Sequence, residues 1–434
     1  MRRDCGNRWR RSIAALAIAA PSFLLAAGPA QAKVFKVSST GDEGDSSLVD
    51  DECHATTGTQ CTLRAAIQQA NATEGPDEIR FHIGNGTGVK TISLGSNLPD
   101  VSEQVAINGY TQPGASPNTK VHGDNARLRI VIDGNSHFFR LTSDDNVVRG
   151  LVLNDFFTGL VVLGTSNNKI QGNFIGPDVT GTQAAGSSNA IFVSEGSSAN
   201  VIGGTSPGAR NLVSGNEFGI LVSDAPGGPV TQGNKIRGNY IGTDRTGKKD
   251  LGNRSSGVII SGGATTVGGR KAGNGNVIAF NGDGPSNDGV SITGTENAIL
   301  RNSIFANDDL GIDLGADGHT LNDLTDADTG PNEGQNFPAI TSARTTAHGT
   351  KIKGALNSVP GDSFTIELFA NPASGDEGKS YLGQTIAVTD AVTGDGSFTF
   401  KPNKPVKRGK AITATATNPE GNTSEFSLPR IVSD

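Results

Sequence analysis

The chain has 434 residues, of which 36 are basic and 43 acidic, for a formal net charge of −7. An acidic balance of this size excludes a general nucleic-acid binder. One Trp and three Tyr leave few platforms on which sugars stack, and beyond the first thirty residues no apolar run approaches the ~20 residues of a membrane span.

Residues 1–32 read as a secretory leader: Arg2, Arg3, Arg8, Arg10 and Arg11 precede the apolar run Ile13 to Ala27, and Ala30-Gln31-Ala32 is a small-residue cleavage site. Cys5 and the Trp leave with it, so the mature chain sits at about −11 and is expected outside the cell, secreted or at the cell surface. Cys53 and Cys61 then remain, eight residues apart in an oxidising compartment, and read as a disulfide. The competing reading is a metal site with His54 as third ligand, at a spacing that fits no common zinc pattern.

The run Cys61-Thr-Leu63-Arg64-Ala-Ala-Ile67-Gln-Gln-Ala70-Asn71 is amphipathic. Leu63, Ala66, Ile67 and Ala70 share a face and Thr62 stands at the cap position, which predicts a helix near 62–71. Such a helix suits the open end of a sheet whose strand edges need covering. This stretch resembles the Cys-Ser-Leu-Arg-Glu-Ala-Ile motif that opens many exported bacterial right-handed parallel β-helix proteins, with Thr62 and Ala65 in place of Ser and Glu. Asn108-Gly-Tyr-Thr-Gln-Pro-Gly114, Gly238-Asn-Tyr-Ile-Gly-Thr-Asp244 and Leu310-Gly-Ile-Asp-Leu314 are similar to further phrases of that group. The resemblance implies a secreted or cell-surface right-handed β-helix of the pectin-lyase-like kind, and no single reaction.

From 146 to 317 the chain repeats itself. Asn168-Lys-Ile170-Gln-Gly-Asn173-Phe-Ile-Gly recurs 66 residues on as Asn234-Lys-Ile236-Arg-Gly-Asn239-Tyr-Ile-Gly, and related hexads start at Asn211, Asn276 and Asn297, with a shorter one at Asn146. Gaps of 22, 23 and 21 residues between neighbouring hexads predict three coils of about 22 in each unit. Each hexad carries one Ile or Val between Asn and Gly, too short for a helix and right for a strand between corners. Parallel stacking at ~4.8 Å follows, with the Asn residues bending the corners and laddering amide to amide. The predicted architecture is therefore all-β: a parallel β-helix over 33–343 with its N-terminal capping helix, then a small immunoglobulin-like β-sandwich over 344–434, where alternating strands such as Phe364–Phe369 and Ala411–Ala416 replace the repeat.

With Ile170 and Ile236 turned inward, period-two alternation turns Lys169, Lys235 and Arg237 outward, together with Gln171 and Ser214. These three cations are the catalytic candidates if the protein is a polysaccharide lyase, which needs a positive charge on a uronate carboxylate and a base near C5. A plain solvated face is the bland alternative. Asp178 and Asp244 sit in two matching loops, Ile175–Thr182 and Ile241–Gly247, and are ligand-binding candidates on one side of the solenoid. A glycoside hydrolase needs two facing carboxylates; Asp308, Asp309 and Asp313 supply them in number but not in pattern.

Residues 308–333 hold eight acids and no Lys or Arg. Asp326-Ala-Asp328-Thr-Gly330-Pro-Asn332 echoes a calcium loop, with Asp326, Asp328 and Asn332 as ligands and calcium the one cofactor expected, against a solvated acidic linker. The functional expectation is a secreted binding, structural or adhesive protein, monomeric, whose partner is an extracellular polysaccharide or another cell-envelope component. The alternative is the lyase or glycoside hydrolase.

Overall fold

The computed structural model describes residues 32–285 and 287–434, so the expected leader lies outside the described residues apart from Ala32. Three long parallel sheets run side by side, with nine strands in sheet A, eight in sheet B and seven in sheet C. A coil visits them in turn: Lys169–Gln171 in A, Phe174–Ile175 in B, Asn189–Ser194 in C, then Val201–Gly203 back in A. This is a parallel β-helix. Ile79, Ile107, Val148, Ile170, Ile202, Ile236, Val267 and Ile299 stack as one inward column of sheet A, none more than 3% exposed. Each such side chain contributes roughly 1.5–3 kcal/mol by leaving water.

The coil length differs from the one the hexad gaps predict. Asn168 pairs with Asn200, 32 residues on, and Asn200 with Asn234, 34 residues on, so the 66-residue unit holds two coils instead of three. The hexads at 168, 234 and 297 lie on sheet A, while those at 211 and 276 lie on sheet B. Two corners impose the same demand, and the sequence repeats the same answer at both. A gap such as 211 to 234 therefore steps from one sheet to the next.

Three asparagine ladders hold the corners. Asn168 Oδ1 accepts the Asn146 N–H at 2.8 Å and Asn200 Oδ1 that of Asn168 at 2.9 Å. Between sheets A and B run Asn173, Asn211, Asn239, Asn276 and Asn302, and between B and C run Asn216, Asn253, Asn281 and Asn307. The left-handed bend falls one residue before the ladder asparagine, at Asn167 (φ 63°), Ala199 (φ 55°) and Gly233 (φ 69°). The ladder residue is chosen for its amide, and its neighbour takes the bend.

At the N-terminal end, helix α1 (Leu63–Ala72) closes the barrel. The Thr62 hydroxyl accepts the Ala65 N–H at 3.0 Å, and Leu63, Ala66, Ile67 and Ala70 are buried in the main core with Ile79 and Phe81. Cys53 and Cys61 form a disulfide beside it. His54 is no ligand to them; it faces Glu52 at 3.5 Å. No described helix is long and apolar enough to cross a membrane.

At the other end stand two antiparallel sheets. Ala339–Thr346, Gly349–Asn357 and Asp395–Phe400 form one, and Ser363–Asn371, Ser380–Val388, Ala411–Thr417 and Arg430–Ile431 the other. They sandwich Ile352, Phe364, Ile366, Leu368 and Phe398. Three glutamates reach from this sandwich to the last coil, one for each sheet's end. Glu367 accepts the Arg301 N–H at 2.7 Å, Glu377 accepts the Asn307 side-chain amide at 2.8 Å, and Glu425 accepts the Leu314 N–H at 3.1 Å. Exposed by 0%, 8% and 2% respectively, they answer backbone and ladder donors that a further coil would otherwise have bonded.

Candidate functional site

Sheet A presents the expected cations. Lys169 and Lys235 are exposed in one column with Val201 between them, so their Cα atoms lie ~10 Å apart. Arg149, Gln171 and Arg237 sit two residues further along their strands. The Arg237 Nε is buried without a hydrogen-bond partner. Glu78, already paired with Arg80 at 2.6 Å, is the one carboxylate among the outward residues of the sheet A strands. Ser214 does not belong here: it is fully buried and donates to Thr243 O at 2.7 Å.

The concave ground is next door, over sheet B. There the outward column is apolar: Val131, Val152, Phe174, Leu212 and Tyr240. The insertion 109–128 folds over it, and Ala126 and Leu128 complete a second small core. Two arginines from other coils pin that cover. Arg210 donates to the carbonyls of Val121 at 2.8 Å and Gly123 at 2.6 Å, and Arg245 to those of Asp124 and Ala126, both at 2.9 Å. The cover stops where the Tyr240 hydroxyl accepts the Gly123 N–H at 2.8 Å.

Beyond that edge the column continues uncovered as Val277 and Ser303, which floor a cleft of about 270 Å³. One wall carries His122, Arg210 and Tyr240; the opposite wall carries Arg301 and Tyr381. Each wall is a guanidinium on a phenol ring, Arg210 at 4.3 Å from the Tyr240 centroid and Arg301 at 4.8 Å from that of Tyr381. No carboxylate lines the cleft. Burial, and then the charge of Glu367 behind it, push the Tyr381 hydroxyl up to about 12, so it stays protonated at neutral pH and serves as a hydrogen-bond donor, not a base. A neighbouring hollow holds Tyr110, Arg149 and Gln171. The three tyrosines of the chain thus all stand at these two hollows. Tyr110, His122, Arg210, Tyr240, Arg301 and Tyr381 come from six separate stretches and share no motif, which is why the sequence did not reveal them.

The loop aspartates serve their own turns. Asp178 accepts from Thr180 and from the Thr182 and Gln183 N–H groups; burial raises its pKa, but those bonds together outweigh it and hold the carboxylate below its ordinary range. Asp244, 3% exposed, likewise accepts the N–H groups of Thr246, Lys248 and Lys249. Neither carboxylate lines the cleft.

Of the expected calcium ligands, Asp326 and Asp328 are brought together with Asp323, their oxygens within 4.8 Å of one another. Asn332 is elsewhere: its amide ends the first ladder, accepting the Asn297 N–H and donating to Asn297 O and Thr423 O. Burial first, then the charges of Asp323 and Asp328, push Asp326 up to about 6. Asp326 is also bonded by Gln335, Asn336 and Ser358, and Asp328 is the exposed member of the three. Three oxygen donors at this spacing are of a kind that calcium accepts. Asp313 is buried and receives the Gly318 N–H at 3.2 Å.

No known family profile matches the chain, and no curated protein does. Among solved structures, an alginate lyase from Paenibacillus sp. str. FPU-7 aligns at 14% identity over 62% of this chain and 75% of its own, with a TM-score of 0.30. That degree of likeness carries no argument about activity.

Proposed function

We propose that this is an exported binding protein that holds an acidic extracellular polysaccharide, with the cleft between Arg210–Tyr240 and Arg301–Tyr381 as its principal site and the cationic face of sheet A beside it. The observation that carries the reading is the composition of the cleft: two guanidinium–phenol pairs and no carboxylate in a chain of net charge −7. Arg301, stacked on Tyr381, keeps edge N–H groups for a carboxylate beyond the one given to Arg270 O, whereas Arg210 spends its edge on the carbonyls of Gly238, Lys120, Val121 and Gly123 and lends its wall only charge; the rings offer apolar faces to a sugar. The capping helix formed by the Cys61–Ile67 motif supports placing the chain with the exported β-helix group that it resembles.

Titration of the mature protein with uronate oligosaccharides and with neutral oligosaccharides of equal length tests the reading. Uronates bind and neutral chains do not, and Arg301→Ala/Tyr381→Ala weakens uronate binding by roughly tenfold or more while circular dichroism shows the fold retained. Equal binding of neutral chains, or an unchanged double variant, defeats it.

The second reading is a lyase acting through Lys235 and Arg237, supported by the exposed Lys235 beside an Arg237 whose Nε lacks a partner. It requires unsaturated, ultraviolet-absorbing products from a uronate polymer and their loss in Lys235→Ala.

Calcium at Asp323, Asp326 and Asp328 belongs to the same proposal. Saturating calcium is expected to raise Tm by a few degrees and EDTA to reverse the gain. Asp326→Asn abolishes the response; an unchanged Tm in the wild type leaves these carboxylates as a solvated turn.

A further inference from the structure

The sandwich has a hollow of its own. Ser380 and Leu382 from the strand Ser380–Val388, with Lys379 just before it, line the hollow together with Lys404, Lys407 and Lys410 from the segment that connects Asp395–Phe400 to Ala411–Thr417, around about 360 Å³. No Asp or Glu lines it. All four lysines are exposed, and among the described residues none of the four is ion-paired, whereas their neighbour Arg408 is bound to Asp434 at 2.8 Å. From Lys401 to Lys410 the chain places five cations and no acid. In a protein with 43 acidic and 36 basic residues, four unneutralised ammonium groups around one hollow run against the average charge.

The backbone beneath them is fixed. Pro402 and Pro405 hold their φ angles, Val406 is 6% exposed and its N–H donates to the Thr350 hydroxyl at 2.7 Å, and Lys410 O accepts the Val432 N–H at 2.9 Å. The hollow also adjoins the cleft. Ser380 and Leu382 line the hollow and Tyr381, between them, lines the cleft, so one strand divides the two. The Lys379 ammonium lies 4.0 Å from the ring centroid of Phe305, two residues along the strand from the cleft floor at Ser303, and the Ser303 hydroxyl donates to Lys379 O at 2.6 Å.

We propose that Lys379, Lys404, Lys407 and Lys410 form a second anion-binding site, which takes the carboxylates of a polyuronate leaving the cleft past Arg301 and Tyr381. The polymer's identity rests on the cleft reading; the site itself does not. Two linked sites on one polymer raise affinity by the effective concentration of the second encounter, without new contacts at the first. A short oligomer gains nothing from the lysines.

The test compares the mature wild type with Lys404→Ala/Lys407→Ala/Lys410→Ala, three exposed side chains whose loss leaves Tm unchanged. The probes are a galacturonate trimer, a polygalacturonate long enough to reach both sites, and inorganic polyphosphate. The expected result is that the triple variant binds the long polyuronate roughly tenfold or more weakly, binds the trimer as the wild type does, and shows a shallower salt dependence with the long chain. Unchanged binding of the long chain overturns the proposal while leaving the cleft reading intact. Loss of polyphosphate binding with polyuronate binding unchanged overturns it in favour of a phosphate polymer. If Arg301→Ala/Tyr381→Ala binds the long chain normally and the lysine variant does not, the cleft reading falls and the lysine site stands.

Discussion

Asn239→Ala lowers the unfolding free energy by about 3–5 kcal/mol. The side chain bonds in both directions along the stack. Its Oδ1 accepts the N–H of Asn211 at 3.3 Å and the Asn211 amide at 3.0 Å, while its Nδ2 donates to Ile202 O at 3.0 Å and to Asn276 Oδ1 at 3.0 Å. Asn239 and Asn211 are fully buried and Ile202 is 1% exposed, so water does not replace what is lost. Two backbone groups are stranded at ~1–3 kcal/mol each, and the vacated space adds to the cost. Gly203 reports the same crowding, since a Cβ there would stand 2.2 Å from Arg237 O and 2.3 Å from Asn239 Oδ1. Urea unfolding of Asn239→Ala beside Lys235→Ala, an exposed control expected within about 0.5 kcal/mol of wild type, decides the matter. Matching midpoints in the two variants show that the ladder is not what holds the coils.

The second large effect is on pH. Burial pushes Glu367, Glu377 and Glu425 up to about 7 from an ordinary value of 4.5, against the pull of the donors that they accept from. A carboxyl raised on folding is favoured in its protonated form. The stability it contributes is complete below about 4.5 and is lost as pH climbs through about 7. For the fully buried Glu367 this amounts to on the order of 2–3 kcal/mol. The protein is therefore expected to melt at a higher temperature at pH 5 than at pH 8. Glu367→Gln retains an acceptor for the Arg301 N–H and removes the ionisation, so it raises Tm at pH 8 and changes it little at pH 5. Glu367→Ala lowers Tm at both values, because that N–H then has no acceptor. Glu367 is the best probe of the three, for it faces only the cations Arg301 and Arg270, whereas Glu425 also meets His319 at 2.7 Å and the charge of Asp313. Equal melting temperatures for wild type and Glu367→Gln at pH 8 sink this account.

The sequence carried the coil but not its length. Asn-x-Ile-x-x-Asn signals a corner, a buried strand and a second corner, and all of that is present at Asn168–Asn173. The hexad does not say which sheet it lies on, because the corners of sheets A and B ask for the same amide. The coils vary in length, from 22 residues between Asn146 and Asn168 to 38 between Asn173 and Asn211, so the gaps mixed steps along a coil with steps between coils. The helix cap was legible because its periodicity is local. The cleft was not. Arg210 and Arg301 look like solvated charges until the insertion 109–128 and the sandwich are folded against them. Lys169, Lys235 and Arg237 were placed correctly on an outer face by alternation alone, yet alternation cannot tell a flat wall from a hollow.

The glutamate plugs have one more consequence. A stack of coils has no intrinsic reason to stop, since each coil templates the next. Helix α1 closes one end, and Glu367, Glu377 and Glu425 close the other. Nine strands in sheet A at ~4.8 Å give a face roughly 40 Å long. The two caps thus fix the length of the solenoid as well as ending it.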